Sequence, residues 1–192
     1  MKRSCGFTII ELLVVIAIMA ILASLAIPSY LDFFEKGRLR GAAEMVYEQL
    51  MFAKTQAIKR SKPFSVTFSA DGSSSWSFGI ADNSTGCDPT GADCTISDYN
   101  NDGDTVDPDD NLPMVFSDVI SKGVVMNATT FADHKTGFEP LRGTALEGSS
   151  GAGGVVLNST NDKYEIQVSV SEAGSITLCS PKVKKVIGYP DC

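Results

Sequence analysis

Histidine and basic residues are scarce in this chain of 192 residues, and each shortage excludes a class of function. The chain has a single histidine, His134, which rules out a multi-histidine zinc site. A Ser–His–Asp triad would have to use that one residue. Sixteen Lys and Arg against 23 Asp and Glu argue against a general nucleic-acid binder. The glycine-rich residues 148–154 are not followed by the Lys-Ser/Thr of a phosphate-binding loop. The composition points away from an enzyme.

A long apolar run follows a short basic start. Lys2 and Arg3 precede residues 7–27, which are almost wholly apolar. A helix of that length spans about 30 Å, enough to cross a bilayer core, and the positive-inside rule holds its basic end in the cytoplasm. A secretory signal peptide is the alternative, but its apolar region is shorter than this run. We therefore expect one membrane-spanning helix over residues 7–28, with the rest of the chain outside the cytoplasmic membrane.

One carboxylate, Glu11, interrupts this run four residues after Phe7. A carboxylate at membrane depth costs a few kcal/mol, so such groups are usually paired and functional. If Glu11 lies among the lipid headgroups it merely ionises there. At greater depth it requires a positively charged partner.

The sequence Gly6-Phe7-Thr8-Ile9-Ile10-Glu11-Leu12-Leu13, followed by Pro28, resembles the processing site and N-terminal helix of type IV pilins and type II secretion pseudopilins. The resemblance implies that a prepilin peptidase removes residues 1–6 and that the new amine of Phe7 is methylated. It also implies that Glu11 pairs with the Phe7 amine of a neighbouring pilin or pseudopilin subunit when subunits leave the inner membrane and enter a filament. Such a pair is tolerated in a low dielectric where a lone charge is not, and it can enforce register.

The helical pattern continues over residues 29–62. A bend or local melting is predicted at Pro28, because proline lacks an amide hydrogen and clashes with the preceding turn. Beyond it, one apolar stripe recurs at three- and four-residue spacings: Leu39, Ala43, Val46, Tyr47, Leu50, Ala53, Ala57 and Ile58. Seven basic residues are expected to face solvent or the filament: Lys36, Arg38, Arg40, Lys54, Lys59, Arg60 and Lys62. Pro63 ends the helix, because the residue before a proline disfavours helical geometry.

After Pro63 the apolar period changes to two, which predicts a β-rich periplasmic domain over residues 63–192. Two alternating segments on either side of Asp71-Gly72 predict a hairpin over residues 64–69 and 76–80. Further strands are predicted at residues 124–126, 154–157, 164–170 and 175–179. The expected architecture is α+β, with one long helix packed on an antiparallel sheet.

The order of several segments is similar to the GspH/FimT group of minor pilins and pseudopilins. They are Arg38-Leu39-Arg40, residues 53–60, Trp76 and residues 138–143. The group's helix usually carries Ala-Arg-x-x-Ala-Ile-x-Arg, and this chain has Lys54 at the first arginine position. The resemblance implies a structural subunit near the tip that primes or caps a type IV pilus or a type II secretion pseudopilus.

A DNA-uptake or adhesion subunit is the alternative, because some FimT-type pilins bind DNA. The candidate DNA contacts lie between the last two cysteines: Lys182, Lys184 and Lys185. Three lysines on an acidic domain are a weak electrostatic footprint for DNA.

Five cysteines occur, and removal of residues 1–6 takes away Cys5 and leaves four in an oxidising compartment. Three pairings are possible, and proximity in the sequence favours Cys87–Cys94 and Cys179–Cys192. Each short loop contributes about 2–3 kcal/mol by the chain-entropy estimate. Zinc binding is the rival interpretation, but no CxxC spacing occurs.

Residues 98–109, which we call the acidic segment, follow a pattern typical of a calcium loop. Counted from Asp98, oxygen donors fall at positions 1, 3, 5, 7 and 12, and Gly103 at position 6 permits a sharp turn. The predicted Ca²⁺ ligands are Asp98, Asn100, Asp102, Asp104 and Asp109. An acidic loop kept soluble by its charge is the alternative.

Overall fold

The computed structural model describes residues 8–69, 72, 74–91, 93–98, 111–118, 122–146 and 151–192, without the side chains of residues 25–29, 128 and 129. It divides into two compact units, Met1–Glu35 and Lys36–Cys192. In the first unit the described residues are helical from Ile9 onwards. The second unit contains the remainder of that helix and all the described strands.

The helix α1 comprises 52 residues, Ile9–Arg60. Its backbone is helical through Pro28, so the local melting predicted there does not occur. The helix ends two residues before the predicted limit, because Ser61 adopts a left-handed φ of +54° ahead of Pro63. In the described part of the chain, no helix is long and apolar enough to cross a membrane.

One face of α1 is buried in the second unit. Its fully buried residues are Leu39, Ala42, Ala43, Val46, Leu50, Ala53 and Ala57. They belong to the predicted stripe except Ala42, which the prediction missed. Tyr47 is only half-buried and Ile58 is exposed, so the stripe is narrower than predicted.

Ten strands are present among the described residues. They are β1 (Phe64–Ser69), β2 (Ser77–Ala81), β3 (Thr95–Ile96), β4 (Leu112–Pro113), β5 (Val115–Ser117), β6 (Val124–Thr129), β7 (Lys135–Phe138), β8 (Gly153–Ser159), β9 (Glu165–Val170) and β10 (Ile176–Cys179). Two antiparallel sheets have the orders β5-β2-β1-β7 and β10-β9-β8-β6, and β3 pairs with β4. A 3₁₀ turn, Ala132–His134, precedes β7.

The predicted hairpin is confirmed, with Ser65 opposite Ala81 and Ser69 opposite Ser77. The four later strand predictions are also confirmed as β6, β8, β9 and β10. The strands that the sequence pattern missed are short: β3, β4, β5 and β7 have two to four residues each. The α+β class is correct, but the strands form two principal sheets where one was expected.

A single apolar cluster joins the helix face to both sheets. Trp76, the only tryptophan, is buried, and its indole N–H donates to the carbonyl of Val124 at 2.9 Å. This bond connects the start of β2 with the start of β6, which lie in different sheets. Phe68 stacks on Phe131 with ring centroids 5.6 Å apart. These buried aromatic rings belong to the apolar cluster, and large rings of this kind contribute strongly to core packing.

Two disulfides are present, and both join the cysteines that lie closest in the sequence. Cys87 pairs with Cys94, and Cys179 pairs with Cys192. The first disulfide lies against β2 at Gly79, where a Cβ atom would be 2.1 Å from the Cys94 sulfur. The second closes the C-terminal loop (residues 179–192) and ties the end of the chain to β10.

Gly174→Ala should strongly destabilise the second unit. Gly174 has a φ of +72°, and a Cβ atom there would lie 1.9 Å from the carbonyl oxygen of Gly143. We expect a loss of more than about 2 kcal/mol in the free energy of unfolding. Urea unfolding of the full chain in detergent, followed by Trp76 fluorescence, measures it.

Gly37→Ala is the matched control. No atom lies within 4 Å of a Cβ built on Gly37, which is on the solvent side of α1. Alanine restricts the unfolded chain at an ordinary helical position, so a gain of about 0.5–1 kcal/mol is expected. Equal effects of the two substitutions would contradict the close approach of Gly174 to Gly143.

Candidate functional site

The first turn of α1 contains a reciprocal cap between Thr8 and Glu11. The Glu11 N–H donates to Thr8 Oγ1 at 3.3 Å, and Glu11 Oε2 accepts from the Thr8 N–H at 2.9 Å. The Thr8 hydroxyl also donates to Glu11 Oε2 at 2.9 Å. This is the capping-box arrangement, in which two backbone donors at the helix start are satisfied. The Thr-x-x-Glu spacing is visible in the sequence but was not used in the prediction.

The positions of the predicted processing site, Gly6 and Phe7, lie outside the described residues. The structure therefore leaves the cleavage and methylation predictions untested. Glu11 itself is exposed and hydrogen-bonded by Thr8. Its predicted pairing with an amine on another subunit stays a prediction.

Beyond the cap, the first unit exposes apolar side chains around the whole helix. Those more than half exposed are Ile9, Ile10, Leu12, Leu13, Ile16, Ile18, Met19, Ile21, Leu22, Tyr30, Leu31 and Phe33. An apolar surface of this extent is a site for lipid or for other apolar helices.

The two ends of the Ala53–Arg60 motif fix loops of the second unit. Lys54 Nζ donates to the carbonyl of Gly174 at 2.8 Å, in the turn between β9 and β10. Arg60 Nη1 donates to the carbonyls of Ser97 and Asp98, each at 2.9 Å. The motif thus holds both a hairpin turn and the start of the acidic segment.

Of the seven basic residues expected to face solvent or the filament, Arg38, Lys59 and Lys62 are exposed, and the other four are half-buried. Most of the seven also make contacts with the rest of the second unit that the prediction missed. Besides Lys54 and Arg60, Arg38 donates to the Lys122 carbonyl and Arg40 to the Ile187 carbonyl. Lys62 lies 3.9 Å from Asp82 Oδ2, and the Lys36 ammonium lies over a tyrosine ring. Charge pattern alone missed this role because long basic side chains reach backbone carbonyls of segments distant in sequence.

Three acidic side chains offset the lysines of the C-terminal loop. Lys184 Nζ lies 2.5 Å from Asp162 Oδ1 and 3.5 Å from Glu165 Oε2. The hydrogen bonds from Lys184 and Asn158 hold the pKa of the Asp162 carboxyl below its usual range. The other two lysines, Lys182 and Lys185, both pair with Asp191.

The C-terminal loop is also anchored to α1. The Tyr189 hydroxyl donates to Glu44 Oε1 at 2.9 Å, and the Arg40 guanidinium lies 6.0 Å from the centre of the Tyr189 ring. Burial, and then the hydrogen bond to Glu44, raise the pKa of Tyr189 to about 12. The sequence did not indicate this anchor, because Glu44 and Tyr189 are 145 positions apart in the chain.

The predicted calcium ligands fall mostly outside the described residues. Asp98 is described, with a left-handed φ of +48°, whereas Asn100, Asp102, Asp104 and Asp109 are not. Within the described ranges, no group of three or more His, Cys, Asp or Glu side chains is arranged to hold a metal ion.

Comparison with protein families identifies the chain. Residues 1–27 match the prokaryotic N-terminal methylation motif, which contains the Thr8 and Glu11 cap. Residues 42–174 match the family described as type II transport protein GspH, and this match covers more than half of the chain. The chain belongs to the GspH family. It is thus a GspH-like member of the type IV pilin and pseudopilin superfamily.

The fold is similar to that of a solved minor pilin. One crystal form of the type IV minor pilin FimU from Pseudomonas aeruginosa PAO1 is 16% identical, with a TM-score of 0.51 over 80% of this chain and 99% of that one. A second crystal form gives 14% identity and a TM-score of 0.47, covering 76% and 99%. At these identities the similarity concerns the fold alone.

Tyr189→Phe should reduce the slope with which the free energy of unfolding falls as the pH rises from about 10 to about 12. Because the pKa of Tyr189 is about 12 in the folded chain and 10.0 in the reference state, the folded chain keeps the phenolic proton that the unfolded chain loses. Its contribution to stability is therefore complete below about pH 10 and falls away as the pH rises to about 12. Urea unfolding at a series of alkaline pH values measures this dependence.

Tyr47→Phe is the control for that experiment, because Tyr47 is half-buried on the same helix and packs against the apolar cluster. Urea unfolding of this variant over the same pH series gives the effect of removing a phenolic hydroxyl elsewhere in the second unit. An unchanged slope in Tyr189→Phe would contradict the raised pKa of Tyr189.

Proposed function

We propose that the chain is a structural minor subunit of a type IV pilus or a type II secretion pseudopilus that primes or caps filament assembly. The observation that carries the proposal is a single carboxylate, Glu11, held at the start of a helix with exposed apolar side chains. Such a helix suits packing among other apolar helices, and the carboxylate supplies one polar contact of defined position.

The proposed pathway starts with a precursor in the inner membrane. Prepilin peptidase removes residues 1–6, and the amine of Phe7 is methylated. Residues 7–28 cross the membrane once, residues 29–62 continue the helix, and residues 63–192 lie in the periplasm. The apolar character of residues 7–27 and the match to the methylation motif support this pathway.

In the filament, Glu11 pairs with the Phe7 amine of a neighbouring subunit. Water is excluded among packed apolar helices, so an unpaired charge there is costly and a formed pair is tolerated. A subunit that docks in the wrong register leaves both charges unpaired. The pair therefore selects one register from the many that apolar side chains alone permit.

The arrangement of the C-terminal lysines supports this structural role over the alternative of DNA uptake. Lys182, Lys184 and Lys185 each contact a carboxylate of the same unit. Phosphate binding has to compete with those contacts, and the chain as a whole carries a net charge of −7.

Glu11→Gln should keep the helix cap but abolish filament incorporation. Glutamine at this position still accepts the capping hydrogen bonds, whereas it carries no charge to pair with an amine. We expect about tenfold or greater loss of the chain from sheared filaments, measured by quantitative mass spectrometry. The same spectra report whether the mature chain begins at a methylated Phe7.

Glu48→Gln is the matched control, because Glu48 is an exposed carboxylate on the same helix. It should assemble like the parent chain. Normal incorporation of Glu11→Gln would overturn the pairing, and a chain that retains residues 1–6 in filaments would overturn the processing.

We also propose that the acidic segment starting at Asp98 binds Ca²⁺. Its support is the order of oxygen donors in the sequence, since extracellular calcium sites use such loops. Two hydrogen bonds from Arg60 fix the carbonyls of Ser97 and Asp98, where the segment begins.

Calcium should raise the melting temperature of the parent chain. At ten times its dissociation constant a ligand stabilises by about 1.4 kcal/mol, which corresponds to a rise of about 3–6 °C. Asp98→Ala with Asp102→Ala should abolish the rise, and the control Asp93→Ala with Asp133→Ala should retain it. No rise in the parent chain at saturating calcium would exclude the site.

A further inference from the structure

The end of the first unit contains a cluster of aromatic side chains in residues 30–34, which we call the aromatic segment. Tyr30, Phe33 and Phe34 lie in it, whereas residues 8–27 contain no aromatic residue. The ring centroids of Tyr30 and Phe34 are 5.3 Å apart, and those of Phe33 and Phe34 are 6.1 Å apart. The three rings therefore form one continuous aromatic surface.

This aromatic surface is exposed in the first unit. Tyr30 is 65% exposed and Phe33 is 71% exposed. Leu31 and Phe34 are exposed beside them, so the surface is apolar over more than one turn of the helix. Contiguous exposed apolar side chains of this size are typical of a surface that a membrane or another molecule covers.

The aromatic segment follows directly after the apolar run. At a rise of about 1.5 Å per residue, residues 7–27 match a hydrocarbon core of about 30 Å. The helix continues through Pro28, so the aromatic segment lies about 5–10 Å beyond the end of that run. The headgroup layer of one leaflet is about 5–8 Å thick. The length of the apolar run thus places the aromatic segment at the level of the headgroups, on the side opposite the basic residues Lys2 and Arg3.

The polar groups here suit a headgroup layer better than a dry contact between apolar helices. Tyr30 has a hydroxyl at the tip of an apolar ring, and tyrosine is enriched at membrane–water interfaces for that reason. Asp32 lies within the segment and Glu35 directly after it, and carboxylates are costly where water is excluded. Their negative charge also favours zwitterionic headgroups over anionic ones.

We propose that the aromatic segment binds zwitterionic phospholipid headgroups in the periplasmic leaflet of the inner membrane. The rings of Tyr30, Phe33 and Phe34 lie among the headgroups and the upper acyl chains, and they fix the depth of α1 in the membrane before the chain enters a filament. The proposal rests on the proposed function, because it requires residues 7–28 to cross the membrane. Entry into a filament then removes two surfaces from lipid, the apolar run and the aromatic segment.

Depth-dependent fluorescence quenching tests the contact. The full chain with Phe33→Trp, which keeps the position aromatic, is reconstituted in phosphatidylcholine vesicles. The acyl chains are brominated either near the headgroup or near the chain end, and the parent chain gives the Trp76 background. We expect bromine near the headgroup to reduce the added emission by about half or more, and bromine near the chain end to reduce it by a smaller factor.

Two further variants calibrate the depth. Ile16→Trp lies near the middle of the apolar run, so bromine near the chain end should quench it most. Met51→Trp is the matched control, because Met51 is an exposed apolar residue of α1 in the second unit. Its emission should change by less than about a tenth in either lipid, since the proposed function places it in the periplasm.

The outcomes separate this proposal from the proposed function. Quenching of Phe33→Trp no greater than that of Met51→Trp, or greatest with bromine near the chain end, would overturn the headgroup contact. Weaker quenching at a higher ratio of protein to lipid would also overturn it, because another copy of the chain would then cover the segment. If Ile16→Trp is still quenched, the headgroup contact fails and the membrane-spanning helix of the proposed function stands. If neither Ile16→Trp nor Phe33→Trp is quenched, both fail.

Discussion

The packing of small residues along one face of α1 is the constraint on which the second unit depends. Ala42, Ala43, Ala53 and Ala57 are fully buried there, between larger apolar residues. Short side chains let the sheets approach the helix backbone closely, so the apolar cluster fills with residues from both sheets. A larger side chain at these alanines would separate the helix from the sheets, because a close-packed interior has no room to absorb it.

Basic residues at the margins of this face hold loops of the second unit by hydrogen bonds. Arg40, Lys54 and Arg60 each donate to backbone carbonyls of segments far along the chain. Loops lack the internal ladder of a strand, so their carbonyls need partners from elsewhere. A basic side chain satisfies these carbonyls with charge-assisted hydrogen bonds while its stem covers apolar surface. The C-terminal loop and the start of the acidic segment are positioned in this way.

Local patterns predicted the longer elements well and the tertiary pairings poorly. The change of apolar period after Pro63 located β1, β2 and the four strands from β6 to β10 that have clear alternation. The short strand β7 was not predicted, because Lys135-Thr-Gly-Phe has too few residues to show a period. The division into two sheets was not predicted either, since alternation shows which side of a strand is buried but not which strand lies beside it. At the candidate site, proximity in sequence was enough for the disulfides, whereas the contact of Tyr189 with Glu44 depends on the folded chain.

The cap between Thr8 and Glu11 bears on how assembly is selected. A carboxylate that already accepts two hydrogen bonds at a helix start, near the positive end of the helix dipole, is tolerable before it meets a partner. In the proposed filament, the neighbouring amine therefore adds the energy of an ion pair to a Glu11 carboxylate that is already hydrogen-bonded. Correct and incorrect registers then differ by that ion pair, since the hydrogen bonds from Thr8 are present in both. The selection is strongest where apolar helices exclude water, because the same pair is worth least when it is exposed to solvent.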